Sequence, residues 1–229
     1  LPLRLAKGGV HGIADIDAGT AGGAACLKMK GKGRNKLTKA LADDPHLAAA
    51  VGMPCKENGF DVEGLAVRGD RVLLGLRGPV VRGWTMVLEL RLKEKKPGRL
   101  ELRRVAADGR RYLKHFLPLG GLGIRDLRFD GDDLLLLAGP TMEHDGIGGL
   151  FRWRPPLAGE TDMLHADASV ERLMDLVFEN GVDQAEGIDF IGAGEGRRLL
   201  VVHDSPSPAR LRKHGRDGCP VLLADLFEV

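Results

Sequence analysis

Hydrophobic residues along this chain fall in short runs cut by Gly, Asp and Pro, the punctuation of β-hairpins rather than of helices. Glu63-Gly64-Leu65-Ala66-Val67 leads through a Gly69-Asp70 turn into Val72 to Leu76 and then Arg77-Gly78-Pro79. Arg125-Asp126-Leu127-Arg128-Phe129 leads through Asp130-Gly131 into Leu134 to Ala138 and Gly139-Pro140. Glu186-Gly187-Ile188-Asp189-Phe190 leads through a Gly-rich turn into Leu199 to His203 and Asp204-Ser205-Pro206. A weaker copy, His11-Gly12-Ile13-Ala14-Asp15 followed by Ala24 to Met29, precedes them. The phrase thus recurs four times, starting near residues 11, 63, 125 and 186, which marks a modular fold.

Each copy reads as a hairpin, because its turn residues tolerate the positive φ that tight turns require. The second run of each is apolar without alternation, as in Leu134 to Leu137, and predicts a strand covered on both faces. Met86 to Leu92 and Arg99 to Arg103 alternate instead, and predict half-exposed outer strands whose charges protect a sheet edge. Gly149 to Arg154 is the third strand of the copy at 125, and Val221 to Phe227 that of the copy at 186, with Leu1 to Leu5 available to close the ring. Two inner strands, a third and a charged fourth describe one propeller blade. The expected fold is all-β: a β-propeller-like array of four-stranded blades in a single domain over residues 1–229, with one inserted helix. That helix is expected over Asn35 to Val51, inside an insertion at 35–55, with Asp44 as N-cap and Pro45 in its first turn. A two-sheet sandwich is the competing architecture.

Composition narrows the partners. No apolar run approaches the ~20 residues that span a bilayer, and 43% hydrophobic content is too much for a disordered chain. Lys and Arg number 34 against 32 Asp and Glu, a net charge of +2, and aromatics are 4%, which argues against a nucleic-acid partner. The three cysteines form no C-x-x-C pair, so a reducing compartment, the cytoplasm, is expected, with the periplasm as the alternative if a leader was removed. Gly192-Ala193-Gly194-Glu195-Gly196 mimics a dinucleotide fingerprint but precedes the strand-like Leu199 to Val202, so no nucleotide cofactor is expected.

The candidate chemistry lies at the strand ends. In an antiparallel hairpin the start of the first strand neighbours the end of the second, which sets Glu63 beside Arg77, and Glu186 beside His203 and Asp204. If the copies are blades, these residues, Arg125 and the loop Arg34-Asn35-Lys36 converge on one channel mouth. Glu143 and His144, which follow Gly139-Pro140, belong to the same mouth. The expected ligand-binding set is therefore Arg34, Asn35, Lys36, Arg77, Arg125, Glu143, His144 and His203. The expected metal ligands are Glu63, Glu186 and Asp204, an oxygen set suited to calcium or magnesium. The run of cations from Lys28 to Lys39 is either an anion-attracting rim or a solvated loop. A structural alternative pairs Glu63 and Glu186 with Arg125 and Arg77 as an ion-paired plug. Two carboxylates held close need a cation between them, either Arg125 or a divalent ion.

Gly33-Arg34-Asn35-Lys36, Glu63-Gly64-Leu65-Ala66, Arg77-Gly78-Pro79, Gly139-Pro140 and Glu186-Gly187 together resemble a bacterial family of unknown function, over about residues 9–229. More distantly the chain is similar to phytase-like and gluconolactonase-type propellers. In those proteins the residue before a Gly at the head of each inner strand points into the channel, where it is placed to ligate a divalent metal. The equivalent positions here are His11, Glu63, Arg125 and Glu186, and Arg125 departs from such a donor set. Two functions follow: a small anionic ligand or divalent metal bound at the mouth, with metal-assisted hydrolysis of a phosphoester or lactone as its enzymatic form, or a non-enzymatic scaffold that binds another protein.

Overall fold

A computed structural model describes residues 25–29, 35–142, 146–155, 159–178, 182–212 and 221–228. The expectations for Leu1 to Leu5, the copy at His11, Arg34, Glu143 and His144 lie outside these residues. In chain order the elements are β1 (Cys26–Leu27), α1 (Lys36–Ala42), β2 (Asp61–Arg68), β3 (Arg71–Gly78), β4 (Thr85–Lys96), β5 (Arg99–Leu102) and β6 (Tyr112–Leu117). There follow β7 (Gly123–Asp130), β8 (Asp133–Gly139), β9 (Gly146–Trp153), β10 (Met163–Leu164), β11 (Val170–Phe178), β12 (Gln184–Ile191) and β13 (Arg198–Asp204). Last come β14 (Leu211–Arg212), β15 (Val221–Leu222) and β16 (Asp225–Glu228). The fold is mostly β, and no helix among the described residues is long and apolar enough to cross a membrane.

The three described copies of the repeat each begin their own sheet. The copy at 125 makes a four-stranded antiparallel meander, β7-β8-β9-β11. The copy at 63 grows to seven strands, because the first half of the long β4 pairs with β6 and its second half with β5. The copy at 186 has β12-β13-β16, beside a separate β14-β15 hairpin. The tight hairpins turn where the sequence places glycine: Gly69 has φ 62° and Gly131 has φ 58°, both in the left-handed region that costs glycine little.

The leucine strands explain how the sheets stack. Leu134 and Leu136 of β8 pack with Leu73 of β3 and Ile124 of β7 in the core between the first two sheets. Leu135 and Leu137 point the other way, onto Ala185, Ile188, Leu199 and Val201 of the third sheet. Strand periodicity thus divides one apolar run between two cores. Each of these leucines is fully buried and contributes about 1.5–3 kcal/mol by leaving water. On the far face of the first sheet, Val72 and Leu76 meet Leu41 of α1 and Leu47, so the helical insertion caps the stack there.

Four expectations are corrected. The helix runs only over Lys36–Ala42, because Asn35 and Thr38 form a reciprocal capping box while Pro45 pushes the residue before it out of helical geometry. Asp44 accepts from His46 N, but residues 45–51 continue as turns. Met86 to Leu90 is not half-exposed: β6, unseen in the sequence, covers its edge, and both faces are buried, Glu89 included. Cys26–Leu27 is no inner strand of a first blade but pairs parallel with β5 at the outer edge of the first sheet. Val221 to Phe227 is split, Val221–Leu222 pairing with β14 and Asp225–Glu228 with β13.

The backbones of β7 and β3 approach so closely that a Cβ at Gly123 would run into the Arg77 carbonyl oxygen. Gly123→Ala is expected to lower unfolding free energy by about 2–3 kcal/mol, the cost of overpacking against backbone. Gly52→Ala, whose Cβ meets nothing within 4 Å, should stay within about 0.5 kcal/mol. Urea denaturation checks both, and equal stability of the two variants would contradict this packing.

Candidate functional site

The same irregularity occurs in all three hairpins. The ladder of β2 and β3 slips between Val62 and Gly64, that of β7 and β8 between Ile124 and Asp126, and that of β12 and β13 between Ala185 and Gly187. The residue left over at each bulge is Glu63, Arg125 or Glu186. A bulge re-aims its side chain, and here three of them are turned toward one point. Arg125 Nη1 donates to Glu63 Oε2 at 3.2 Å and to Glu186 Oε1 at 2.7 Å, while its Nη2 donates to the Pro140 carbonyl at 2.7 Å. Arg77 Nη1 adds a bond to Glu63 Oε1 at 3.1 Å and lies 3.7 Å from Asp61. Burial raises the Glu186 carboxyl above the ordinary glutamate range, and Glu63 adds to the rise against the pull of Arg125 and Arg77.

Glu63, Arg77, Arg125 and Glu186 are therefore brought together, as an ion-paired cluster. Among the described residues no group of three or more His, Cys, Asp or Glu is arranged to hold a metal ion. Asp204 is exposed at the end of β13, its carboxylate accepting from Ser205 N at 2.7 Å. His203 stands 3.6 Å from Asp225, with Arg210 bridging Asp225 and Asp183. Burial, then the Arg210 charge, lowers the His203 imidazole. Asn35 is occupied as the cap of α1, its Oδ1 accepting from Leu37 N and Thr38 N. Lys36 follows on the same helix and turns out to border a different site.

That site is built on β6, and sequence reasoning missed it. Lys114, 1% exposed, places Nζ 2.6 Å from Asp44 Oδ2, 3.0 Å from His46 Nδ1 and 3.4 Å from Asp162 Oδ2. Tyr112 donates its hydroxyl to the same Asp44 oxygen at 2.6 Å, and Arg110 binds both oxygens of Asp162 at 3.0 Å. Burial alone would raise the Asp44 carboxyl, but the bonds from Lys114, Tyr112 and His46 N outweigh it and hold it low. Tyr112 is pushed up, by burial first and then by its bond to Asp44. A cavity of about 690 Å3 opens on this network, with Tyr112 and Lys114 in its buried wall and Lys36, Lys39, Arg110 and Arg111 around it.

A second buried polar chain crosses the core between the first two sheets. Arg71 Nη1 lies 2.9 Å from Glu89 Oε1, His115 Nε2 lies 3.0 Å from Glu89 Oε2, and His115 Nδ1 lies 3.1 Å from His165 Nε2. In the tautomer that carries the His115 proton on Nε2, the donors run His165 to His115 to Glu89. Trp153 packs its ring about 5 Å from each imidazole. Burial, with a smaller contribution from His115, pushes His165 down to about 4.

The signals for both networks were present but ambiguous. Lys114-His115 interrupts an apolar run like any solvent-facing pair, and Glu89 mimics the polar half of an alternating strand. Their partners lie 18 to 70 positions away along the chain, beyond any local pattern.

A family described as Protein of unknown function (DUF3616) covers residues 2–218. No curated protein and no solved structure matches the chain.

Removing Arg125 leaves two carboxylates facing each other. A fully buried pair would lose about 3–5 kcal/mol, but Glu63 and Glu186 keep 23% and 27% of their side-chain surface in water. Arg125→Ala is accordingly expected to cost about 2–3 kcal/mol at pH 7 in guanidinium denaturation, and less at pH 4.5, since the raised Glu186 carboxyl takes up a proton early as pH falls. Adding Glu186→Gln should recover part of the loss, and no recovery would mean that the two acids do not share Arg125.

His165 gives a separate pH dependence. Its folded-state value lies below its unfolded one, so the stability it contributes is complete above pH 6.5 and drains as pH falls toward 4. The loss over that window is on the order of 3 kcal/mol. Unfolding titrations should show this acid limb flattened in His165→Gln, and an unchanged limb would assign it elsewhere.

Proposed function

We propose that this chain, which belongs to the family described as Protein of unknown function (DUF3616), binds a small anionic molecule in the cavity between α1 and β6. The observation that carries the reading is how charge is distributed around that cavity. Its acids Asp44, Asp108 and Asp162 are each held by a neighbouring cation, Asp44 and Asp162 by Lys114 and Asp108 by Arg110. Asp43 is the remaining acid on the wall. Lys39 has no ion-pair partner among the described residues, Lys36 reaches Glu101 only at 3.8 Å, and Arg111 donates to the Leu102 carbonyl oxygen. Lys36, Lys39 and Arg111, all three of them donors, thus outnumber Asp43 among the charged groups left to meet a ligand. A phosphorylated or carboxylated molecule has the complementary chemistry.

In this reading the three sheets are consecutive blades of a propeller-like array. The repeated bulges and the shared Arg125 cluster support that arrangement. So do the apolar side chains turned outward at either end of the stack, Leu65 and Val67 on β2 and Val202 and Leu226 in the third sheet. The Arg125 cluster at the inner strands is then the ion-paired plug, and ligand binding belongs to the outer pocket that Lys36 borders.

Inorganic phosphate, pyrophosphate and citrate test the proposal by thermal shift. At one hundred times its dissociation constant, a bound anion stabilises the native state by about 2.7 kcal/mol, which for a chain of this length raises the midpoint by about 5–10 °C. Lys36→Glu/Lys39→Glu should abolish the shift while leaving the ligand-free midpoint nearly unchanged, since both lysines are exposed. A shift that survives in the double variant, or no shift with any of the three anions, would overturn the reading.

A further inference from the structure

The charged cavity does not end at His46 and Asp162. A second hollow, of about 340 Å3, adjoins it, and these two side chains line both. Its character is the opposite of the first. Val81, Trp84, Phe116, Met163 and Leu164 supply apolar walls, and Arg82 is its only other charged member. Leu164, on the short β10 strand, is 67% exposed, more than any other large hydrophobic residue described. Trp84 is held in place by a tight turn in which Val81 and Trp84 exchange backbone hydrogen bonds at 2.9 and 3.0 Å. His46 sets its ring edge-on to Phe116, with centroids 5.1 Å apart, while its Nδ1 meets Lys114, so one imidazole has an apolar and a polar side.

Asp162 at the divide would repel an anion if it were free. It is not: Arg110, Lys114 Nζ and the Lys114 backbone N–H all engage it. The boundary between the two hollows is therefore electrically quiet, and a molecule crossing it meets cations on one side and aromatic or aliphatic surface on the other. Exposed apolar walls gain by losing water, and a ring-sized body fits a space of this volume.

We infer that the ligand is an amphipathic anion: an oxyanion carried on an apolar, ring-sized body, with the oxyanion among Lys36, Lys39 and Arg111 and the body between Trp84 and Leu164. This rests on the anion-binding reading and specifies its ligand. The oxyanion is the part that the lysines recognise, and phosphate and carboxylate share that chemistry. The apolar body is what distinguishes this ligand from a free inorganic ion.

The test compares probes of equal charge that differ only in the body: phenyl phosphate against methyl phosphate, and phenylacetate against acetate, by titration calorimetry on the full chain. In at least one pair the aryl probe is expected to bind ten-fold or more tightly. Leu164→Ser, at a position too exposed to govern folding, should erase most of that preference and leave the small anion's affinity unchanged. Trp84→Ala should do the same, and should also remove the fluorescence change that the aryl probe causes in the wild type, because the other tryptophan, Trp153, is fully buried. Lys36→Glu/Lys39→Glu should weaken both members of a pair equally. Equal affinities within both pairs would overturn the amphipathic ligand while leaving anion binding in place. An aryl preference that survives both Leu164→Ser and Trp84→Ala would likewise overturn it. No binding of any probe would overturn both readings.

Discussion

Among the described residues, Arg125 is the one side chain through which all three sheets are joined by charge. It rises from β7, donates to a carboxylate from β2 and another from β12, and donates again to the Pro140 carbonyl of its own hairpin. Asp126, the next residue, takes the opposite role, accepting from Ile188 N of the third sheet at 2.8 Å. Two consecutive residues of one strand thus fix the spacing of the sheets on either side, and the leucines behind them fill the gaps that this spacing leaves. Guanidinium suits the position because its fork offers several fixed donors to acceptors arriving from different directions, which an ammonium on a flexible stem does not. The three bulges are what let the cluster form, since without them a strict alternation would set the charged residue in line with its neighbours on the pleated face.

The hairpins, the two-sided leucine strands and the convergence of Glu63, Arg125 and Glu186 were all legible in the sequence, and for one reason. A repeat gives position as well as type: residues at the same place in each copy must meet the same environment. The bulges that carry out the convergence were not legible, because a bulge changes hydrogen-bond register without changing the residues. Within the helix expected over Asn35 to Val51, the cap signal at Asp44-Pro45 does start a capped turn, whereas the capping box at Asn35 and Thr38 is what opens the α-helical segment.

The network on β6 was illegible for a different reason. A buried lysine, histidine or glutamate is tolerated only with partners, and those partners come from wherever the fold brings them. Asp44 precedes Lys114 by 70 residues, and His165 follows His115 by 50. Nothing local distinguishes Lys114 from a surface lysine. The copy at 63 differs from the copy at 125 in exactly this region, because β4 is long enough to pair with two further strands, and the added strand β6 brings the buried polar groups with it. Departure from the repeat, rather than the repeat itself, is where the new chemistry enters.

That contrast is why the proposal places the ligand in the outer cavity. At the inner cluster Glu63 and Glu186 are bound to arginines, and the exposed fraction of each carboxylate faces a site whose cations are already committed. An incoming anion would have to displace a charge-assisted bond from a largely buried guanidinium, which costs more than a new contact returns. Around the outer cavity the commitment runs the other way: most of the acids are satisfied and several of the cations are not. A protein gains little affinity where its own groups already complete one another, and most where folding has left donors of one sign beside a space that water fills. On the proposed reading the inner cluster belongs to the architecture, and the outer cavity to recognition.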